Sequence, residues 1–328
     1  MKTFTDRMVE AIKEKRSILC VGLDPQIRFM PPQLINWAKV YQEVRQHDSP
    51  WEVIAKLFLK FNEAIIEAVG PFAIAVKPQI AFYNRYGHWG IWAYEETVQY
   101  AREKKLLAIT DAKPGDGGET ADAYADAYIG EVPVFDGKRL TGPMRTDCVT
   151  IHGYIGSDCV RPFLREIKEH GTGAFVVDKT SFKPNSEVEQ LECKSGLKVW
   201  EELAIMVQKW GEGTEGEYGY RNLGVVMGAT YPEEAVVMRR HLPKSWLLVP
   251  GYGKQSQKNL DPAGDAVRGA DENGLGIVVN SARGVIAAWQ EEQFKCEPEK
   301  FADAAAKAAE FARDDLSAAL KRAGKLNW

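Results

Sequence analysis

Short, nearly unbroken apolar runs recur along the chain at 17–22, 72–76, 106–110, 148–151, 174–177, 224–227, 246–249 and 276–279. Each is rich in Val, Ile or Leu and too short for a helix, the pattern of parallel strands covered on both faces. Between them the apolar positions shift to helical spacing, predicting amphipathic helices over 51–68, 94–104, 121–129, 160–168, 197–210 and 232–241. Residues 1–15 carry the same spacing, and the Ala-rich, charged stretch 298–326 predicts a terminal helix packed outside the rest. Eight strands alternating with helices predict an α/β fold, a single (β/α)8 TIM barrel over residues 1–328. The rival, an open doubly wound sheet, has no natural reason to reach eight such units. Two segments exceed a minimal barrel. Residues 36–50 read as a polar insertion. An extended loop follows the fifth strand over 184–221, with its glycine-rich part 211–219 expected to be solvated.

A barrel carries its chemistry where the strands end. The residues at those ends are Asp24, Lys77, Asp111 with Lys113, His152, Thr180 with Ser181, Thr230, Gly251 to Gly253 and Asn280 to Arg283. Nearly every apolar run therefore finishes in polar or glycine chemistry.

The densest of these ends is Asp111-Ala-Lys113-Pro-Gly-Asp116-Gly-Gly-Glu-Thr120. Side-chain alternation at a strand end would put Asp111 and Lys113 on one face. Glycines let the chain fold back and bring Asp116 along, and Lys77 joins from the neighbouring strand. Two lysines interleaved with two carboxylates hold one another charged. A protonated lysine beside a reacting carbon can stabilise a developing carbanion and then protonate it. A second signal lies after the seventh and eighth runs, where Gly251, Gly253 and Gln255 face Arg283. Glycine turns allow backbone approach and arginine offers a forked donor, which together suit a phosphoryl group.

Composition narrows the partners. With 42 basic and 46 acidic residues the net charge is −4, so no global field favours nucleic acid or an anionic membrane. No apolar stretch reaches the length of a membrane span, and charged residues interrupt the first fifteen positions, against a signal peptide. The five cysteines are scattered and without a CxxC pair, which reads as reduced thiols of a cytoplasmic protein. No His, Asp or Glu cluster shows metal-ligand spacing.

The stretches Val21-Gly-Leu-Asp24-Pro25, Val76-Lys77-Pro-Gln-Ile-Ala-Phe-Tyr83, Asp111 to Thr120, Gly228-Ala-Thr-Tyr-Pro232, Val249-Pro-Gly-Tyr-Gly-Lys-Gln255 and Asn280 to Gly284 occur in an order that resembles the orotidine 5′-phosphate decarboxylases, in their longer, bacterial-type branch. The resemblance implies decarboxylation of orotidine 5′-phosphate to UMP without a cofactor or metal. It implies Lys113 as proton donor, Asp111 facing the departing group, Lys77 bridging the array and Asp24 on a ribose hydroxyl. Ser181 would read the pyrimidine edge, and Gln255 with Arg283 would hold the phosphate. Asp116 and Thr120 would reach the neighbouring subunit's site in a homodimer. The chain departs from the family's pattern at Gly117, usually isoleucine, at Glu119, at His152-Gly153, at Phe182-Lys183, and after Gln255. Two alternatives stay open: a metal-dependent sugar-phosphate decarboxylase or aldolase of the same superfamily, which typically has an acidic ligand where Lys77 stands, and a silent nucleotide-binding homologue.

Overall fold

The computed structural model describes residues 2–182, 187–253 and 260–328. Among the described residues there are ten strands: β1 (Leu19–Leu23), β2 (Ala75–Pro78), β3 (Leu107–Thr110), β4 (Glu131–Pro133), β5 (Arg139–Thr141), β6 (Cys148–His152), β7 (Gly173–Lys179), β8 (Arg221–Met227), β9 (Ser245–Pro250) and β10 (Ile277–Ser281). Strands β4 and β5 form a separate antiparallel hairpin, and the other eight close into a parallel barrel in the order β1-β10-β9-β8-β7-β6-β3-β2. All eight apolar runs are barrel strands. Their side chains are almost wholly buried because helices cover the outside while other side chains fill the inside.

The expected helices appear with boundaries shifted by a few residues, as Pro50–Val69, Gly87–Glu103, Gly118–Ile129, Ser157–His170, Val199–Trp210 and Pro232–His241. The terminal helix runs over Phe301–Arg322 and buries an alanine-rich face, with Phe301 stacked 5.5 Å from Phe61 of the Pro50–Val69 helix. The first helix, Phe4–Lys15, is fixed by a Thr3/Asp6 capping box and seats Phe4 across the strand starts. A Cβ at Gly173 would lie 2.4 Å from the Phe4 ring, so glycine is what lets the ring approach β7.

Two segments beyond a minimal barrel are more ordered than their composition suggests. The polar stretch 36–50 is mostly helical, since residues 36–44 belong to a helix, Pro32–Val44, whose Trp37 and Tyr41 pack on the core. The stretch 211–219 is largely solvent-exposed, as expected, but it is tied to the body of the barrel. Thr214 is buried, Glu215 pairs with Arg221 at 2.8 Å, and the Tyr218 N–H donates to Asp6 Oδ1 at 3.1 Å. The glycines there mark close packing: a Cβ at Gly216 would meet the Asp6 and Thr3 side chains at 2.4 Å.

Candidate active site at the barrel mouth

A cavity of about 410 Å3 opens among the C-terminal strand ends, lined by Asp24, Lys77, Asp111, Lys113, Ser181 and Arg283 among others. Its centre is Asp111, buried one residue past the end of β3. Lys77 Nζ donates to Asp111 Oδ2 at 2.6 Å, Thr150 Oγ1 donates to Oδ1 at 2.9 Å, and Lys113 Nζ also donates to Oδ1. Burial alone would push the Asp111 carboxyl up, but the Lys77 and Lys113 charges outweigh it and hold the group well below the usual carboxylate range. Burial disfavours the Lys77 ammonium too, yet Asp111 and Asp24 more than restore it, leaving Lys77 firmly protonated.

Lys113 meets Asp111 by a different route from strand alternation. Its backbone sits at φ +54, in the left-handed region, and its N–H is held by the Thr150 carbonyl at 2.9 Å. That β6 contact turns the chain so that the ammonium comes back over Asp111, at a conformational cost of about 1–3 kcal/mol for a non-glycine residue. The Lys113 side chain remains about one-third exposed and lines the cavity, whereas Lys77 is buried.

The second carboxylate in the cavity is Asp24, not Asp116. Burial pushes the Asp24 carboxyl up, with the Lys77 charge opposing, and its Oδ1 has no hydrogen-bond partner among the described residues. A buried acceptor without a donor is costly and awaits one. Asn280 Oδ1, from the end of β10, is in the same condition. Asp116 is exposed and only accepts from the Gly117 N–H at 2.7 Å, and Thr120 is exposed as well; neither lines the cavity. At Gly117 a Cβ would stand 3.6 Å from Ile155 Cδ1, so the following loop supplies apolar contact there.

Ser181 lies on one wall with Thr180, whose N–H donates to Glu189 Oε1 at 3.1 Å. On the opposite side Arg283, exposed, stands with its guanidinium 5.7 Å from the Phe29 ring and shares the wall with Gly251, Tyr252 and Gly284. Gly251 adopts φ +105 and Gly253 φ +96, conformations that require glycine. Gln255 lies outside the described residues. His152 is exposed and does not line the cavity; partial burial and the Lys113 charge push its imidazole below the ordinary histidine range.

Sequence reading missed Thr150 and Gln79, which also line the cavity. Thr150 carries no signal, being one polar residue inside an apolar run. Gln79 could have been found as the polar residue following Lys77-Pro78. One further correction concerns metals: Glu166, Glu169 and His170 do converge, with ligand atoms within 4.8 Å of one another. They lie on the Ser157–His170 helix outside the cavity, and Glu166 is already engaged by Arg165 at 2.7 Å and His170 at 3.1 Å. Among the described residues no helix is long and apolar enough to cross a membrane.

Residues 17–294 match the profile of the Orotidine 5′-phosphate decarboxylase / HUMPS family. The chain is 34% identical over 290 residues to an orotidine 5′-phosphate decarboxylase of Caldicellulosiruptor saccharolyticus, covering 88% of this chain and 91% of that protein. It is 35% identical over 295 residues to one from Rhodopirellula baltica, covering 90% and 91%. The structure of Leishmania donovani OMP decarboxylase superposes with a TM-score of 0.69 at 25% identity, covering 97% of this chain and 98% of that one.

Proposed function

We propose that this chain, which belongs to the orotidine 5′-phosphate decarboxylase / HUMPS family, converts orotidine 5′-phosphate to UMP and carbon dioxide at the Lys77–Asp111–Lys113 array. The observation that carries the reading is the pairing of both lysines on one buried carboxylate at the cavity, with the Lys113 side chain the more open of the two.

Asp111 faces the substrate carboxylate, and the bond between C6 and that carboxylate breaks with its electron pair staying on C6. Lys113 stabilises this carbanion and gives it a proton from Nζ, while carbon dioxide leaves; solvent then reprotonates the amine. Lys77 is a positioning residue that holds Asp111 ionised. Asp24 accepts from a ribose hydroxyl, which would satisfy its unpartnered Oδ1. Ser181 reads the pyrimidine edge. Arg283, with Gln255 from outside the described residues, holds the phosphate, and binding energy gathered there is expressed at the ring. The charge set suits this reading better than a metal-dependent one, because the Lys77 ammonium lies between Asp24 and Asp111 and opposes a divalent cation.

Asp116 and Thr120 are exposed and away from their own cavity. That supports a homodimer in which they complete the partner's site. The absence of a sequence-wide basic field fits a small-molecule substrate, not nucleic acid.

The test is to treat the protein with EDTA, add orotidine 5′-phosphate and follow UMP formation. UMP at a catalytic rate is the expected result. No UMP from folded protein would overturn the reading and return the site to sugar-phosphate chemistry or silent binding.

A further inference from the structure

The opposite end of the barrel holds a larger cavity, about 720 Å3, under the N-terminal ends of β3, β6 and β7. Leu106 and Leu107 lead into β3, Thr146 and Asp147 precede β6, and Thr172 precedes β7, so the pocket is the floor beneath three consecutive barrel strands. Its walls are strongly basic, although the chain as a whole carries a net charge of −4. Lys2, Arg7, Arg102, Lys105 and Arg145 all line it, against the single carboxylate Asp147.

These cations are not equally free. Lys2 pairs with Glu10 at 2.5 Å, and Arg7 pairs with Asp147 at 2.5 Å. Asp147 is thereby used up, since its other oxygen accepts from the Ala108 N–H at 2.8 Å. Arg102, Lys105 and Arg145 have no carboxylate within ion-pair distance among the described residues. Arg102 instead donates to the Arg145 backbone carbonyl, which draws one guanidinium against the other residue. Arg145 has only a long contact to Thr141 Oγ1 at 3.5 Å. Burial, and after it the Arg102 charge, push the Arg145 guanidinium below its ordinary range, with Glu131, Asp147 and Glu166 opposing only in part. The Arg7 Nε is buried with no acceptor.

We propose that this floor pocket is a binding site for a compact anion carrying two or more phosphoryl groups, held by Arg102, Lys105 and Arg145. Three cations that line one cavity and have no ion-pair partner among the described residues call for a multiply charged ligand, and guanidinium forks match phosphoryl oxygens in pairs. The volume lies in the range of small-molecule sites and exceeds what one phosphate fills. A nucleic-acid strand would track a basic stripe along the surface, whereas these residues border a single cavity beneath the barrel. The site stands at the far end of the barrel from Arg283 and does not depend on what the mouth does.

The probe is sodium tripolyphosphate, titrated calorimetrically into the full chain with the mouth occupied by UMP, and again into Arg283→Gln without UMP. The expected result is one site per chain in both, weakening steeply with added salt. In the double variant Arg102→Gln/Lys105→Asn, affinity should fall at least about tenfold, the scale of losing two charge contacts. Lys105→Asn alone should cost about fivefold or less; asparagine tolerates the left-handed backbone that Lys105 adopts at φ +59, so this variant keeps the fold. Unchanged affinity in both floor variants would overturn the proposal. So would loss of the site in Arg283→Gln, absence of binding at low salt, or tighter binding of a single-stranded oligonucleotide of equal charge through the same residues.

Discussion

The mouth and the floor of this barrel both gather lysine and arginine, but they treat the charge differently. At the mouth each lysine lies against Asp111, and Lys77 also feels Asp24. At the floor Arg102, Lys105 and Arg145 line a cavity whose one lining carboxylate, Asp147, is engaged by Arg7. A paired charge is held in place and in a known protonation state, which a proton-transfer site needs. An unpaired cluster leaves its attraction for whatever enters, which suits binding. The same residue types thus read as chemistry at one end and as recognition at the other.

The comparison breaks most sharply at Lys113. Replacing Lys113 with Ala should lower kcat by about a thousandfold or more, at the upper range for removing a positioned acid, in a steady-state assay of UMP formation. Asp111→Asn should lower kcat about a hundredfold or more and should also destabilise the fold in a pH-dependent way. The lysines hold the folded carboxyl below its unfolded value of about 3.9. Its ionised form therefore contributes stability above that value, and the contribution is lost as pH falls toward the folded value. Urea midpoints of wild type and Asp111→Asn should differ fully near neutrality and converge in acid. A gap widening in acid would reverse the sign assigned to the shift.

Subunit mixing sharpens the mouth further. Asp116→Asn and Lys113→Ala proteins, each inactive alone, should recover about a quarter of wild-type activity when unfolded and refolded together, as random pairing in a two-fold dimer gives one intact site per hybrid. No recovery would place Asp116 in its own subunit's chemistry or outside it. Arg283→Gln should raise KM about tenfold or more while leaving kcat nearer to wild type. The smallest effect belongs to the floor: Arg102→Gln/Lys105→Asn should leave kcat and KM for orotidine 5′-phosphate within about twofold, since surface substitutions far from a site couple weakly.

Much of this architecture is legible in the chain. Strands of a barrel are buried on both faces, so they appear as continuous apolar runs, and their polar ends mark the mouth. Lys77, Asp111 and Lys113 were readable for that reason. What the sequence hides is whatever long-range contacts create. The left-handed turn at Lys113 depends on the Thr150 carbonyl of a different strand. Thr150 itself is one polar letter in an apolar run. Gly211 to Gly219 has loop composition, yet Asp6, more than two hundred residues away, pins it down. The floor cluster draws on residues 2, 7, 102, 105 and 145, a set with no local spacing to betray it.

The central claim is that Lys113 delivers the proton that ends decarboxylation. Its most direct test is single-turnover decay of orotidine 5′-phosphate absorbance with excess enzyme, comparing wild type with Lys113→Ala protein of matched fold and ligand affinity. The account predicts rapid conversion to UMP by wild type and essentially none by the variant over the same interval. Conversion by Lys113→Ala at a rate near wild type would contradict it.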